Sequence, residues 1–162
     1  SSRAESNLYR QWDIDVIGAI DNQAVWSSNS TFLHRCKTQV KQKRRSVNSR
    51  DGDPQQWTVD ADIGRRYARI SGDYNPIHLA DITAKLFGFK QAIAHGMWSK
   101  ARCLEGLEDQ LPEAGYSVAV NFHRPLFLPS DVLFFTKQLV GKKRFSLYNH
   151  RGDQAHLDGL IS

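Results

Sequence analysis

Cysteine is scarce in this chain of 162 residues. Cys36 and Cys103 are the only two, and neither stands at a metal-ligand spacing from other ligand types. That argues against a disulfide scaffold and predicts a reduced, cytoplasmic protein. No cluster of His, Cys, Asp or Glu shows the spacing of a metal site, so no metal is expected. Long apolar runs are missing too: nothing approaches the roughly 20 residues that span a bilayer, and no stretch reads as a secretory leader. No membrane partner is expected. Internal repeats and low-complexity segments are absent, which removes solenoid and linker-array architectures. The chain opens on Ser rather than Met, so the expectation is a processed, trimmed or incomplete sequence. Negative charge is in the minority, 17 Asp+Glu against 22 Lys+Arg, for a formal net charge of +5. A mildly basic chain suits an anionic ligand: nucleic acid, an acidic carrier protein, or a phosphorylated cofactor such as coenzyme A. The two basic clusters, KQKRR at Lys41–Arg45 and GKKR at Gly141–Arg144, lack the aromatic interleaving of a single-strand nucleic-acid groove. Both read as solvated loops, and no nucleic-acid partner is expected.

What is present is enough for one domain with a real core. Residues 8–20 alternate, with Trp12, Ile14, Val16 and Ile20 on one face, as a half-buried strand does. A turn at residues 21–23 and a returning strand over 24–36 complete a hairpin. Residues 37–56 are polar and basic and read as a linker. After a strand near Trp57, Ile63, Tyr67 and Ile70 mark a short amphipathic helix with Asp60 as its N-cap. A second short helix closes near Gly88. A third starts at His95-Gly96 and is predicted to run to Leu111, with Met97, Ala101, Leu104 and Leu107 as its apolar stripe, widened by Trp98 and Leu111. The remainder is predicted to be strands: 116–122, then 131–140 after a turn at Pro129-Ser130-Asp131, then a hairpin around Arg151-Gly152-Asp153. Helices followed by consecutive strands imply an α+β fold, with helices on one face of an antiparallel sheet.

One stretch resists the structural account. Ser71-Gly72-Asp73-Tyr74-Asn75-Pro76-Ile77-His78 holds a carboxylate and an imidazole five residues apart in a loop made by Gly72, Asn75 and Pro76. A short loop stiffened by Pro76 limits how far the two groups drift apart. A carboxylate and a neutral imidazole that share one water can orient it and pass its protons. The structural alternatives are that Asp73 caps a helix starting near Ile77 or holds the turn, and that His78 is a first-turn helix residue.

The wider segment, Tyr67 to Ala84, resembles the signature of the MaoC-like, (R)-specific enoyl-CoA hydratase family. That signature runs aromatic, one or two residues, small aliphatic, small, Gly-Asp-x-Asn-Pro-aliphatic-His, five residues, Ala or Ser; each specified position is met. The segment Gly88–Trp98, GFKQAIAHGMW, is also similar to the family's approach to its long helix. The resemblance covers Trp57 to the C-terminus. It implies a hotdog, an antiparallel sheet wrapped around a long central helix and paired with a second hotdog. The activity implied is reversible syn addition of water to trans-2-enoyl thioesters, giving (R)-3-hydroxyacyl thioesters. Asp73 and His78 would be the acid–base pair, and Gly96 would offer a backbone N–H at a helix start to the thioester oxygen; close packing is the other reading of Gly96. His95 either caps the helix or lines the pocket. Asn75 is expected to hold the loop, with direct substrate contact as the alternative. Trp98 is assigned to the acyl pocket with Leu86, Phe87 and Phe89. Arg124 borders the groove for pantetheine and nucleotide, and Lys142, Lys143 and Arg144 are further candidates for phosphate contacts. His34, His123, His150 and His156 read as strand positions without chemistry.

The resemblance implies no cofactor beyond coenzyme A or acyl carrier protein as the substrate's carrier, and a homodimer or higher oligomer. A non-catalytic acyl-thioester-binding subunit and a hotdog thioesterase are the alternative functions. Residues 1–52 are expected to be a hairpin and linker, a shortened remnant of a leading hotdog or the tail of a longer chain's first one; residues 53–162 are expected to be the catalytic hotdog.

Overall fold

The computed structural model describes residues 9–35, 50, 52–113 and 115–162, some of the first group by backbone alone. Two compact units appear, Ser1–Arg45 and Ser46–Ser162. Cys36, the Lys41–Arg45 cluster and most of the expected linker lie outside the described residues.

In the first unit, β1 (Tyr9–Ile20) and β2 (Gln23–Arg35) pair antiparallel. Asp21 and Asn22 turn the chain with φ of 49° and 61°, the left-handed pair that a two-residue hairpin turn requires and that Asp and Asn tolerate. The alternation of β1 does not bury its expected face within the unit: Ile14 and Ile20 are exposed. A register shift falls between Gly18 and Ala19, and Ile17, on the other face, is exposed as well.

The second unit opens with β3 (Gln55–Val59), which takes in Gln55 and Gln56 from the expected linker. Then come α1 (Ile63–Ser71), a 3₁₀ turn (Pro76–His78), α2 (Asp81–Leu86), α3 (Gly96–Glu105) and a second 3₁₀ turn (Glu108–Gln110). Four strands close the chain: β4 (Val118–Phe122), β5 (Ser130–Leu139), β6 (Lys142–Asn149) and β7 (Ala155–Ile161). The five strands form one antiparallel sheet in the order β3-β5-β6-β7-β4. Period-two alternation sends Val132 and Phe134 of β5, Phe145 and Leu147 of β6, and Leu157 and Ile161 of β7 to one side. Gly159 faces Phe145 across the ladder, and a Cβ there would stand 2.2 Å from the Phe145 ring, so the glycine makes room for the aromatic. Cys103 and Leu107 from the α3 segment join this core with Val59, Ile63, Leu126 and Leu128. The result is an α+β hotdog: an antiparallel sheet with α3, the longest helix among the described residues, packed on its inner face.

Three local expectations change. The residue before α1 is Asp62, not Asp60, and its side chain makes no capping bond; Ile70 is exposed, so the buried face of α1 is Ile63, Gly64 and Ala68. The helix α3 stops at Glu105, and Gly106, which caps it, packs under Trp57, where a Cβ would come within 2.8 Å of the indole. Its buried positions are Ser99, Cys103 and, past the helix end, Leu107, whereas Met97 and Ala101 face outward. Burial drives the Cys103 thiol up to about 12, so it behaves as a packed apolar group. The GKKR segment is not a loop: Gly141 makes the β5–β6 turn at φ 66°, and Lys142, Lys143 and Arg144 begin β6. No helix among the described residues is long and apolar enough to cross a membrane.

Candidate active site

The loop after α1 is built by short-range bonds that its own sequence supplies. Gly72 ends α1 in the left-handed conformation, φ 75°, and its N–H donates to Ala68 O at 2.9 Å. Three successive turns then follow, each with a side-chain oxygen accepting from the N–H two residues on. Ser71 Oγ accepts from Asp73 at 3.2 Å, Asp73 Oδ1 from Asn75 at 3.1 Å, and Asn75 Oδ1 from Ile77 at 3.3 Å. Pro76 opens the 3₁₀ turn that ends at His78. Asn75 is thus occupied in holding the loop.

His78 is buried, and its Nδ1 lies 2.8 Å from Ile93 O. A carbonyl only accepts, so Nδ1 carries the proton and Nε2 presents a lone pair. Burial lowers the His78 pKa from the ordinary value of 6.5; the Ile93 bond raises it, His95 lowers it, and Asp73 raises it. The ring is held neutral, the form in which Nε2 can accept a proton. His95 Nε2 lies 2.9 Å from the main-chain oxygen of Asp73 and 3.7 Å from Asp73 Oδ2. His95 therefore donates to the loop, and its bare Nδ1 is buried without a partner. The two imidazoles stack, with centroids 3.7 Å apart and planes inclined by 26°.

A carboxylate oxygen of Asp73 and one ring nitrogen each of His78 and His95 lie within 4.8 Å of one another. A single water, with hydrogen bonds of about 2.8 Å, bridges such a gap. The same crowding could suit a cation, but two features favour proton chemistry. The His95 Nε2 proton already serves Asp73 O, and stacked rings direct their in-plane lone pairs side by side rather than to one point.

A cavity of about 280 Å³ adjoins the site, lined among others by His78, Gly96, Phe122, His123, Arg124 and His156. Gly96 is the first residue of α3, where backbone N–H groups have no intrahelical acceptor. A Cβ on Gly96 would meet the Phe122 ring at 3.1 Å. Asp73, Asn75 and His95 are not among the residues that line it. Trp98 is elsewhere, lining a separate cavity with Trp57, Arg66 and Arg102. Leu86 and Phe87 are exposed. Lys143 is bonded to Gln110.

Two histidines without assigned chemistry stand in the cavity wall. His123 is paired through Nε2 with Asp158. His156 is buried on β7, and its Nδ1 lies 3.3 Å from Arg124 O. Alternation in 155–161 places His156 on a face but carries no signal of which loop that face meets.

Burial is the largest cause of a lowered pKa for both His78 and His156. The unfolded chain therefore binds protons at higher pH than the folded one. The stability these groups contribute is fully present above the ordinary value of 6.5 and is lost as pH falls through their lower folded values. The urea midpoint is expected to drop between about pH 7 and pH 5, with a smaller drop in a His78→Gln, His156→Gln double variant. Equal slopes in the two proteins would contradict this.

Comparisons with known proteins bear on the same residues. The profile of a family described as MaoC like domain matches residues 34–154. The chain is 32% identical over 155 residues to 3-hydroxyacyl-thioester dehydratase X of Mycobacterium tuberculosis, covering 88% of this chain and 52% of that protein. Over 85 residues it is 29% identical to a mitochondrial 3-hydroxyacyl-(acyl-carrier-protein) dehydratase of Arabidopsis thaliana, covering 52% of this chain and 51% of that one. The chain spans about half the length of these two relatives. A crystal structure of HtdX from M. tuberculosis superimposes with a TM-score of 0.73 at 29% identity, covering 99% of this chain and 65% of the other. An R-hydratase of Pseudomonas aeruginosa gives 0.53 at 27% identity, over 67% of this chain and 75% of that one.

Proposed function

The chain belongs to the MaoC-like domain family, and from that premise we propose that it is a 3-hydroxyacyl-thioester dehydratase that also runs as an (R)-specific enoyl-CoA hydratase. One observation carries the reading: the Asp73 carboxylate and the His78 imidazole lie within reach of one water, beside the start of α3. The names of both relatives point to the same reaction class.

In the hydration direction, the water oxygen bonds to C3 of the enoyl thioester. A water proton passes to the pair formed by the Asp73 carboxylate and the neutral His78 imidazole, and the pair returns a proton to C2. Water and proton come from one side of the substrate, which accounts for syn addition. The negative charge that develops on the thioester oxygen is met by the Gly96 N–H, with the α3 dipole behind it. Dehydration retraces these steps. On the same reading, His95 holds the loop backbone and Arg124 stands by the substrate's carrier. Coenzyme A or acyl carrier protein delivers the acyl group, no further cofactor takes part, and the protein works as a homodimer or larger assembly in the cytoplasm. The β1–β2 hairpin is then either a shortened leading hotdog or the closing part of a longer chain's first one. The test is the loss of enoyl-thioester absorbance when crotonyl-CoA and longer enoyl-CoAs are added to the protein; no loss at any chain length refutes the proposal.

The role of Gly96 has its own test. His95 has φ −63° and ψ 138°, a conformation suited to the residue before proline, and N1 of a helix accepts proline. Gly96→Pro thus removes the N–H while the helix start is retained, and kcat is expected to fall about a hundredfold. Gly96→Ala keeps the N–H and only presses on the Phe122 ring, so it should lose far less. Equal losses in the two variants would return Gly96 to a packing role.

A further inference from the structure

His95 is a buried imidazole that takes no proton in the proposed reaction. Its side chain makes no capping bond to the start of α3, and it does not line the cavity. A polar ring taken out of water is costly unless its bonds are used. The one hydrogen bond this ring makes runs from Nε2 to the main-chain oxygen of Asp73, 2.9 Å away and 22 residues back in the chain.

That bond has a particular place. The turns through Ser71, Asp73 and Asn75 fix the loop's own shape, but not where the loop stands relative to α3. The segment from Ile93 to Gly96 supplies that register. The Ile93 N–H donates to Ile77 O at 3.1 Å, and Ile93 O accepts from His78 Nδ1 at 2.8 Å. Both bonds pin the His78 end of the loop. Among the described residues, the Asp73 end receives one hydrogen bond from beyond the loop and α1, and His95 makes it. The same ring stacks on His78 with centroids 3.7 Å apart, and Tyr67 of α1 packs against it at 5.0 Å. The next residue is Gly96, the first of α3. One side chain thus touches the backbone of the acid and the ring of the base, and the peptide bond that leaves its residue carries the Gly96 N–H.

We infer that His95 is a positioning residue that sets the Asp73–His78 pair in register with the Gly96 N–H, through its bond to Asp73 O and its stacking on His78. The inference deepens the dehydratase reading and rests on it for the roles of those three groups. Register matters because a misplacement of about 1 Å at a reacting centre costs on the order of 10²-fold.

The test takes the two contacts apart. His95→Gln keeps an N–H at the reach of Nε2 and loses the ring. His95→Phe keeps a ring face for His78 and loses the donor. His95→Ala loses both. Each variant is measured for kcat and KM with enoyl-CoA and for its urea midpoint. Crystal structures give the distances among the Asp73 carboxylate, His78 Nε2 and Gly96 N. In His95→Ala, kcat is expected to fall roughly 10- to 100-fold, and by less in His95→Gln and His95→Phe, which each restore one contact. KM should stay within about threefold, the pattern of an interaction that serves the transition state. The Asp73 carboxylate or the His78 ring should shift against Gly96 in step with the loss. A merely structural histidine would lower the midpoint and leave kcat per folded molecule and the three distances as they are. Wild-type kcat in folded His95→Ala, a rise in KM in place of the fall in kcat, or equal losses in all three variants overturns the assignment. Should His95→Ala not fold, the other two variants decide on the same terms. If the wild-type protein turns over no enoyl-CoA, the dehydratase reading fails by itself. The distances still judge His95: a shift of Asp73 or His78 against Gly96 upholds its placement of the loop, and no shift overturns it.

Discussion

Asp73→Asn and His78→Ala are each expected to lower enoyl-thioester turnover by roughly 10²- to 10⁴-fold, the usual cost of losing a positioned acid or base. The two substitutions probe the pair differently. In Asp73→Asn the side-chain oxygen can still accept from the Asn75 N–H, so the relay of turns through Ser71, Asp73 and Asn75 survives. What is lost is the negative charge and one acceptor for the water. His78→Ala removes the lone pair at Nε2 and also leaves Ile93 O without its donor, at a stability cost of about 1–3 kcal/mol. Urea denaturation of both variants separates that cost from the chemistry. The expected outcome is a native-like midpoint with collapsed kcat for Asp73→Asn, and a lowered midpoint with collapsed kcat for His78→Ala. Unchanged rates in both would remove the mechanism.

Gly64→Ala should be nearly as damaging, although Gly64 is far from any reacting atom in role. It lies in the first turn of α1, and a Cβ there would fall 1.8 Å from the main-chain oxygen of His78. The obstacle is backbone, not the end of a flexible side chain. To reach a contact of 3.0 Å the turn would have to retreat by about 1.2 Å, and if His78 acts as proposed, a displacement of that order costs on the order of 10²-fold. A loss of about 3 kcal/mol or more in stability is expected alongside, because α1 and the Pro76–His78 turn can no longer pack as they do. Gly64→Ser should behave likewise. A Gly64→Ala protein with normal midpoint and normal kcat would show that the close approach of α1 to His78 has no functional weight. By contrast, Gly72 and Gly88 meet nothing within 4 Å, and their conformations of φ 75° and 84° are what call for glycine there.

The Ser71–His78 loop was legible because everything that shapes it is local. Ser71, Asp73 and Asn75 each bond two residues ahead, Gly72 reverses the chain, and Pro76 starts the turn, so the spacing of residue types is itself the geometry. The strands β5–β7 were legible from the turn residues that bound them, Pro129-Ser130-Asp131 and Arg151-Gly152-Asp153, whereas burial in β6 and β7 runs through consecutive residues and does not alternate. The face of α3 was read only in part: Trp98, Leu104, Leu107 and Leu111 pack on the core, while Met97 and Ala101 look outward. Its fully buried positions are Cys103 and Ser99, and a helix this short with a serine on its inner side has no clean stripe to read. Trp98 was placed in the acyl pocket but lines the other cavity, beside Trp57.

Sequence alone determined the hotdog order of elements, the short tether between Asp73 and His78, and the glycine at the head of α3, because each depends on neighbours a few residues away. Only the tertiary structure decided that His95 stacks on His78, that Ile93 O selects the His78 tautomer, that Gly64 supports the turn from behind, and that His156 enters the same cavity wall from 78 positions further along the chain. Those contacts are set by how strands and helices stack after they form. No local spacing of residue types encodes the approach of two segments that meet only through a shared core.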